Sequence, residues 1–312
     1  MSKNPVVIVA GPTASGKSAL ALDLAEALDG VVINADSMQV YKNTPVISAC
    51  PSAADKARVP HRLYEIYDAS VNGTVVDWLE QAVSEIRLAW KNGKLPVVVG
   101  GTGLYLDNLI NGTTPIPEAD VGVRDRVREL SDEIGINALH AKLAEVDAAS
   151  AARLSPNDTT RVTRAYEVFL QTGEPLSEWH KKALLKKLPE ARFVVVKICP
   201  ETAELDERCY QRFDKMMAEG ALNEVRRLSE LHLSSRLPAM KALGVPELLD
   251  FLRGKTSLEQ AIELGKLHTR QYAKRQRTWF KGKLKADVCL NACYKGQKNL
   301  INDVKKALLV LH

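Results

Sequence analysis

The chain has 312 residues, 46% hydrophobic and 26% charged, with a formal net charge of +5 and five scattered cysteines. That length allows one large or two modest domains with a full core. The odd, dispersed cysteine set excludes a disulfide scaffold and suits a reducing cytosol, so a cytoplasmic location is expected. No apolar run is long enough to span a membrane, and the opening residues carry no signal-peptide pattern.

Val6-Val7-Ile8-Val9 reads as a buried strand, followed at once by Gly11-Pro12-Thr13-Ala14-Ser15-Gly16-Lys17-Ser18 and then by leucines at helical spacing, Leu20, Leu24 and Leu28. Strand, glycine loop and helix in that order are the context that makes this pattern a phosphate-binding loop. Its glycines let backbone N–H groups close around phosphate oxygens, Lys17 adds a point charge, and Ser18 offers a hydroxyl to Mg2+. A second apolar stretch, Val31-Val32-Ile33-Asn34-Ala35, ends in Asp36. A carboxylate at a strand's C-terminal end lies where open α/β sheets meet their ligands. Asp36 either caps a short helix that follows, holds Mg2+ through water, or acts as a base.

Residues 44–74 are broken by Pro45, Pro51 and Pro60, and read as a surface segment with a short strand near 63–67. His61, alone beside a proline, reads as structural or exposed. Residues 75–90 form an amphipathic helix with Trp78, Leu79, Ala82, Val83 and Ile86 inward, closed by Asn92-Gly93. Residues 95–99 make a third buried strand running into Gly100-Gly101-Thr102-Gly103. These glycines point to a second close backbone approach at the same sheet edge.

The turn-rich run 111–117 marks a boundary. Residues 120 to about 188 then show helical patterning alone, over 123–134, 137–144, 147–154, 159–170 and 176–188. Arg161 and Arg164 share a helix face there, either solvated or contacting phosphate. Residues 193–199 return to strand. The expected fold is therefore α/β, a P-loop NTPase-like core with a parallel sheet (residues 1–115 and 189–312) and an inserted all-helical subdomain (116–188). A helix after the returning strand carries Arg208, Arg212 and Lys215. An arginine so placed commonly reaches a transferring or leaving phosphate. Residues 266–285 hold eight basic residues and no acidic one, with Arg270, Lys274, Arg277 and Lys281 on one helical stripe. Like charges so spaced destabilise an isolated helix, and a polyanionic partner explains tolerating them.

Three motifs near the sheet edge carry a family resemblance: Gly11 to Ser18, Asn34-Ala35-Asp36-Ser37-Met38-Gln39-Val40-Tyr41, and Val99-Gly100-Gly101-Thr102-Gly103-Leu104-Tyr105. Asn157-Asp158 through Arg164-Ala165 and Thr269-Arg270-Gln271-Tyr272-Ala273-Lys274-Arg275-Gln276 follow in the same order. Together they resemble the tRNA dimethylallyltransferases (tRNA isopentenyltransferases), and the lack of a zinc-finger tail is similar to the bacterial type. The resemblance implies transfer of a dimethylallyl group from dimethylallyl diphosphate to N6 of adenosine 37 in the tRNA anticodon stem-loop, by a cytoplasmic, monomeric enzyme using Mg2+. It implies Asp36 as general base, with Thr102 and Arg212 as the other catalytic residues. Diphosphate would lie on Gly11, Pro12, Thr13, Ala14, Ser15, Gly16, Lys17 and Ser18. It also implies tRNA contacts at Asp36, Ser37, Met38, Gln39, Thr102, Arg124, Thr160, Arg161, Val162, Thr163, Arg164, Thr269, Arg270, Lys274, Arg275 and Gln276. The sequence departs from the family pattern at Cys50, Arg62 and Val245. A small-molecule or nucleotide kinase using ATP is the alternative, and it leaves the basic helix unexplained.

Overall fold

The structure, a computed structural model, describes residues 4–117 and 119–310. The chain divides into two compact units, one built from residues up to Ile110 and from Lys187 on, the other from Asn111–Lys186. The first unit opens with β1 (Pro5–Ala10), α1 (Lys17–Ala27), β2 (Gly30–Asn34), α2 (Ala53–Arg58), β3 (His61–Arg62), α3 (Val75–Lys91), β4 (Leu95–Gly100) and α4 (Gly103–Asn111). The second unit holds α5 (Val121–Ile134), α6 (Ile136–Val146), α7 (Ala148–Arg153), α8 (Thr159–Thr172) and α9 (Leu176–Trp179). The first unit resumes with β5 (Arg192–Ile198), α10 (Thr202–Ala218), α11 (Ala221–Glu230), α12 (Val245–Leu252), α13 (Leu258–Lys283), β6 (Val288–Leu290) and α14 (Lys298–Val310).

The six strands form one parallel sheet in the order β3-β2-β4-β1-β5-β6. A parallel sheet is covered on both faces, so its strands read as unbroken apolar runs. Alternate residues of β1 serve opposite cores. Val6, Ile8 and Ala10 join Trp78, Ile86 and Leu106, while Val7 and Val9 join Leu20, Leu24 and Val304. Burying one such side chain is worth about 1.5–3 kcal/mol, so a one-residue slip of this strand would cost several of them at once. The insertion lies between β4 and β5, and both of these strands pair with β1. It has its own core of Val127, Leu139, Leu143, Val162, Ala165 and Val168.

Two expected elements differ. The short strand lies at His61–Arg62 rather than 63–67, because Leu63 (φ 63°) and Glu65 (φ 53°) are left-handed and cannot extend a strand. Instead of a helix over 176–188, helix α9 ends at Trp179. Beyond it, Leu185 exchanges both backbone hydrogen bonds with Thr113, at 3.0 and 2.9 Å, which an α-helix would not permit. No helix among the described residues is long and apolar enough to cross a membrane.

Candidate functional site

The C-terminal edge of the sheet gathers three loops, after β1, β2 and β4, as a parallel sheet requires. Gly16, with φ 88°, caps α1 in a left-handed conformation. A Cβ there would lie 2.7 Å from the Tyr294 carbonyl oxygen, so only glycine fits. Lys17 is buried, and its ammonium donates to the Pro12 carbonyl at 3.4 Å. Burial pulls its pKa down to about 8, a shift that nearby Asp36 opposes and Arg212 reinforces. Ser15 Oγ is buried and has no hydrogen-bond partner among the described residues. A cationic loop with an unpaired hydroxyl and a fresh helix N-terminus is poised for an anion.

Asp36 follows β2, and a buried asparagine fixes it. Asn34 Oδ1 accepts from the Asp36 N–H at 2.8 Å, while Asn34 Nδ2 donates to the carbonyls of Asp36 and Leu63, both at 3.0 Å. Asn34 is itself held where the Trp78 indole donates to its carbonyl at 2.7 Å. Asp36 Oδ1 accepts from the Met38 N–H at 3.0 Å, closing a local turn; the short helix expected there does not form, the next one being α2. The second carboxylate oxygen accepts no hydrogen bond among the described residues. Thr102, after β4, accepts from the Ser37 N–H at 3.0 Å. Gly100 permits this approach, since a Cβ there would sit 2.0 Å from the Ala35 carbonyl oxygen.

Opposite these loops stands α10. Arg212 donates to the Ser48 carbonyl at 3.1 Å, and its pKa is lowered by burial against an opposing pull from Asp36. A cleft of about 870 Å³ runs between the phosphate loop and this helix, lined by Lys17, Ser18, Cys50, Arg208, Arg212 and Lys215 among others. Its wall, the loop 44–50, is pinned from α11 by Glu224. That buried carboxylate accepts the Val46 and Ile47 N–H groups, both at 2.8 Å. Gln39 pins the same loop from inside, donating to the carbonyls of Ser48 at 3.1 Å and Ala49 at 2.7 Å. Cys50 lies on the cleft with its thiol pushed up to about 12 by burial, so it is no nucleophile at neutral pH.

Helix α13 departs most from its expected role. Gln276, expected at the RNA surface, is buried and bridges two loops. Its Oε1 accepts from the Thr13 N–H at 2.8 Å and its Nε2 donates to the Gly101 carbonyl at 2.7 Å. Thr269 is also buried. Arg277 donates to the Pro200 carbonyl at 2.7 Å, and Arg270 faces Asp206 at 3.9 Å, so half of the predicted basic stripe turns toward α10 and the loop leading into it. Lys274, Arg275 and Lys281 are exposed and have no acidic partner among the described residues. In the second unit Thr160 and Arg161 are exposed, Arg161 pairing with Asp158 and Arg164 with Glu167 at 3.6 Å. Val162 is core there, with no exposed surface. Thr163 bonds its own helix at 2.7 Å, and Arg124 lies on α5 of that unit.

The described residues gather no trio of His, Cys, Asp or Glu side chains. A divalent cation here would therefore draw most of its oxygens from phosphate and water, as Mg2+ does. The exposed Ser18 hydroxyl on the cleft fits that need. Asn34 and Glu224 lie outside the sequence-based expectations. For Asn34 the available signal is one amide closing an apolar strand.

The model of the IPP transferase family matches residues 39–283. A tRNA dimethylallyltransferase of Bradyrhizobium sp. is 49% identical over 281 residues, covering 90% of this chain and 92% of its own. One from Rhodopseudomonas palustris is 47% identical over 303 residues, covering 93% and 100%. The solved tRNA isopentenylpyrophosphate transferase of Bacillus halodurans matches with a TM-score of 0.70 at 31% identity, both chains being covered completely. A eukaryotic dimethylallyltransferase described as acting on tRNA matches at 0.82 and 29% identity, over 98% of this chain and 78% of that one.

Proposed function

The chain belongs to the IPP transferase family, and we propose that it moves the dimethylallyl group of dimethylallyl diphosphate onto N6 of adenosine 37 in the anticodon loop of tRNA. The observation that carries this reading is the placement of Asp36 within electrostatic reach of both Lys17 and Arg212. An anion cradle and a carboxylate base thus share one edge of the sheet, with β4 between the two strands that carry them.

The adenine amine is a weak nucleophile because its lone pair is delocalised into the ring. As its nitrogen bonds the allylic carbon, the carbon–oxygen bond to diphosphate breaks, and Asp36 takes the amine proton. Such base assistance is worth on the order of 10^2–10^4 in rate. Thr102 and Ser37 form the hydroxyl-lined floor beside that carboxylate, bonded to one another at 3.3 Å. Lys17, Arg212 and the loop's N–H groups face the departing diphosphate, whose charge grows as the bond breaks. When bound, Mg2+ on Ser18 would neutralise part of that charge. Thr160, Arg161 and Arg164, with Lys274 and Arg275, supply phosphate contacts, and an unpaired loop nucleotide turns out of its stack at low cost. Family membership sets the kinase alternative aside. The enzyme acts as a cytoplasmic monomer in this reading.

The test incubates labelled dimethylallyl diphosphate with unmodified tRNA, with ATP as control donor. Label is expected in RNA, and Asp36→Asn should lower transfer on the order of 10^2-fold or more while tRNA still binds. Normal turnover by Asp36→Asn would remove it as the base.

A further inference from the structure

The segment between β6 and α14 lies beyond the residues that the family model matches, yet it touches the phosphate loop. Tyr294 is almost fully buried, at 3% exposure. Its N–H donates to the Ser15 carbonyl at 2.9 Å, and its own carbonyl accepts from the Arg208 guanidinium at 3.4 Å. Its phenol donates to Asp23 Oδ2 on α1 at 2.8 Å. The flanking residues are anchored to one carboxylate of α10. The Cys293 N–H donates to Glu204 Oε2 at 3.0 Å, and the Lys295 ammonium meets Glu204 Oε1 at 2.8 Å. Gly16 is pressed against this segment so closely that any side chain there would collide with it.

A trans peptide is planar, so its C=O and N–H point in opposite directions. With the Ser15 carbonyl held outward by the Tyr294 N–H, the Gly16 N–H must point inward, where the loop receives its anion. A flip of that peptide would aim a carbonyl oxygen at phosphate instead. We infer that Tyr294 is a positioning residue for the donor diphosphate, its segment clasping the phosphate loop from outside and locking the Ser15–Gly16 peptide in its anion-binding orientation. The same clasp steadies Arg208, which lines the cleft beside Lys17 and Arg212. This rests on the proposed donor site and adds a device that sets its affinity.

The experiment titrates inorganic pyrophosphate into the full-length protein and its Tyr294→Phe and Tyr294→Ala variants by calorimetry, alongside steady-state kinetics and tRNA binding. Tyr294→Ala is expected to weaken pyrophosphate about three- to tenfold, the worth of one hydrogen bond. KM for dimethylallyl diphosphate should rise in parallel, with kcat and tRNA affinity little changed. Tyr294→Phe, which keeps the ring, should lose less. Unchanged pyrophosphate affinity in both variants would overturn the clasp, as would a parallel loss of tRNA affinity and melting temperature. If Tyr294→Ala does not fold, Tyr294→Phe decides alone by the same criteria. A wild-type protein that binds pyrophosphate but transfers no prenyl group would instead refute the activity, and the variants would still test the clasp.

Discussion

Lys17 is held in a position that costs stability and favours binding. Burial brings its pKa from the ordinary lysine value of 10.5 down to about 8, so the folded protein penalises the ammonium. The sign follows directly. A lysine with a lowered folded pKa weakens the fold at neutral pH, and the penalty fades as pH rises from about 8 toward 10.5, where the unfolded chain also loses its proton. Lys17→Met is therefore expected to raise the melting temperature at pH 7 while weakening pyrophosphate binding. A lowered melting temperature would show that the ammonium holds the loop together. In the free enzyme Lys17 gives up its charge as pH passes about 8, so kcat/KM for the diphosphate donor should fall on that limb. With donor bound, the phosphate charge keeps the ammonium protonated, so kcat should stay level over the same range. A pH profile of both constants separates the two, and a level kcat/KM would contradict the assignment.

Among the elements, α13 divides its labour in a way that spacing alone does not display. The stripe of Arg270, Lys274, Arg277 and Lys281 is one face by periodicity, yet Arg277 and Arg270 turn to α10 while Lys274 and Lys281 remain in solvent. Lys274→Ala with Lys281→Ala should therefore weaken tRNA binding and reduce the salt slope by about two, roughly 0.9 for each phosphate no longer neutralised. Arg277→Ala should instead lower the melting temperature with a smaller change in slope. Filter binding across a salt series distinguishes them, and an unchanged slope in the double variant would reject this face as a phosphate contact. The same helix marks what the sequence could reveal. Local signals are legible: the apolar runs of β1, β2 and β4, the glycine loop, and the amphipathic spacing that α3 realises. Pairings across the chain are not. The bond from Thr13 to Gln276 spans 263 residues, and that from Ile47 to Glu224 spans 177. No local pattern records either. Where a buried polar group is spent depends on which loops the sheet brings together.

At the scale of the molecule, the insertion separates from the catalytic sheet in one physical respect. Its entering and leaving segments run side by side, since Thr113 and Leu185 exchange backbone hydrogen bonds at 3.0 and 2.9 Å. The helices between them bury a core of their own. The strands flanking the insertion, β4 and β5, each pair with β1 rather than with any insertion residue. Replacing Asn111–Lys186 with a short Gly/Ser linker should thus close over a small gap without disturbing the sheet. Pyrophosphate affinity should survive, because Lys17, Arg212, Gln276 and Tyr294 all belong to the remaining unit. Affinity for tRNA should drop, because Arg124, Arg161 and Arg164 leave with the insertion, and prenyl transfer should fall with it. Calorimetry with pyrophosphate and filter binding with tRNA read the two effects separately. Retained tRNA affinity after excision would locate the RNA grip wholly on the sheet-bearing unit and its α13 lysines.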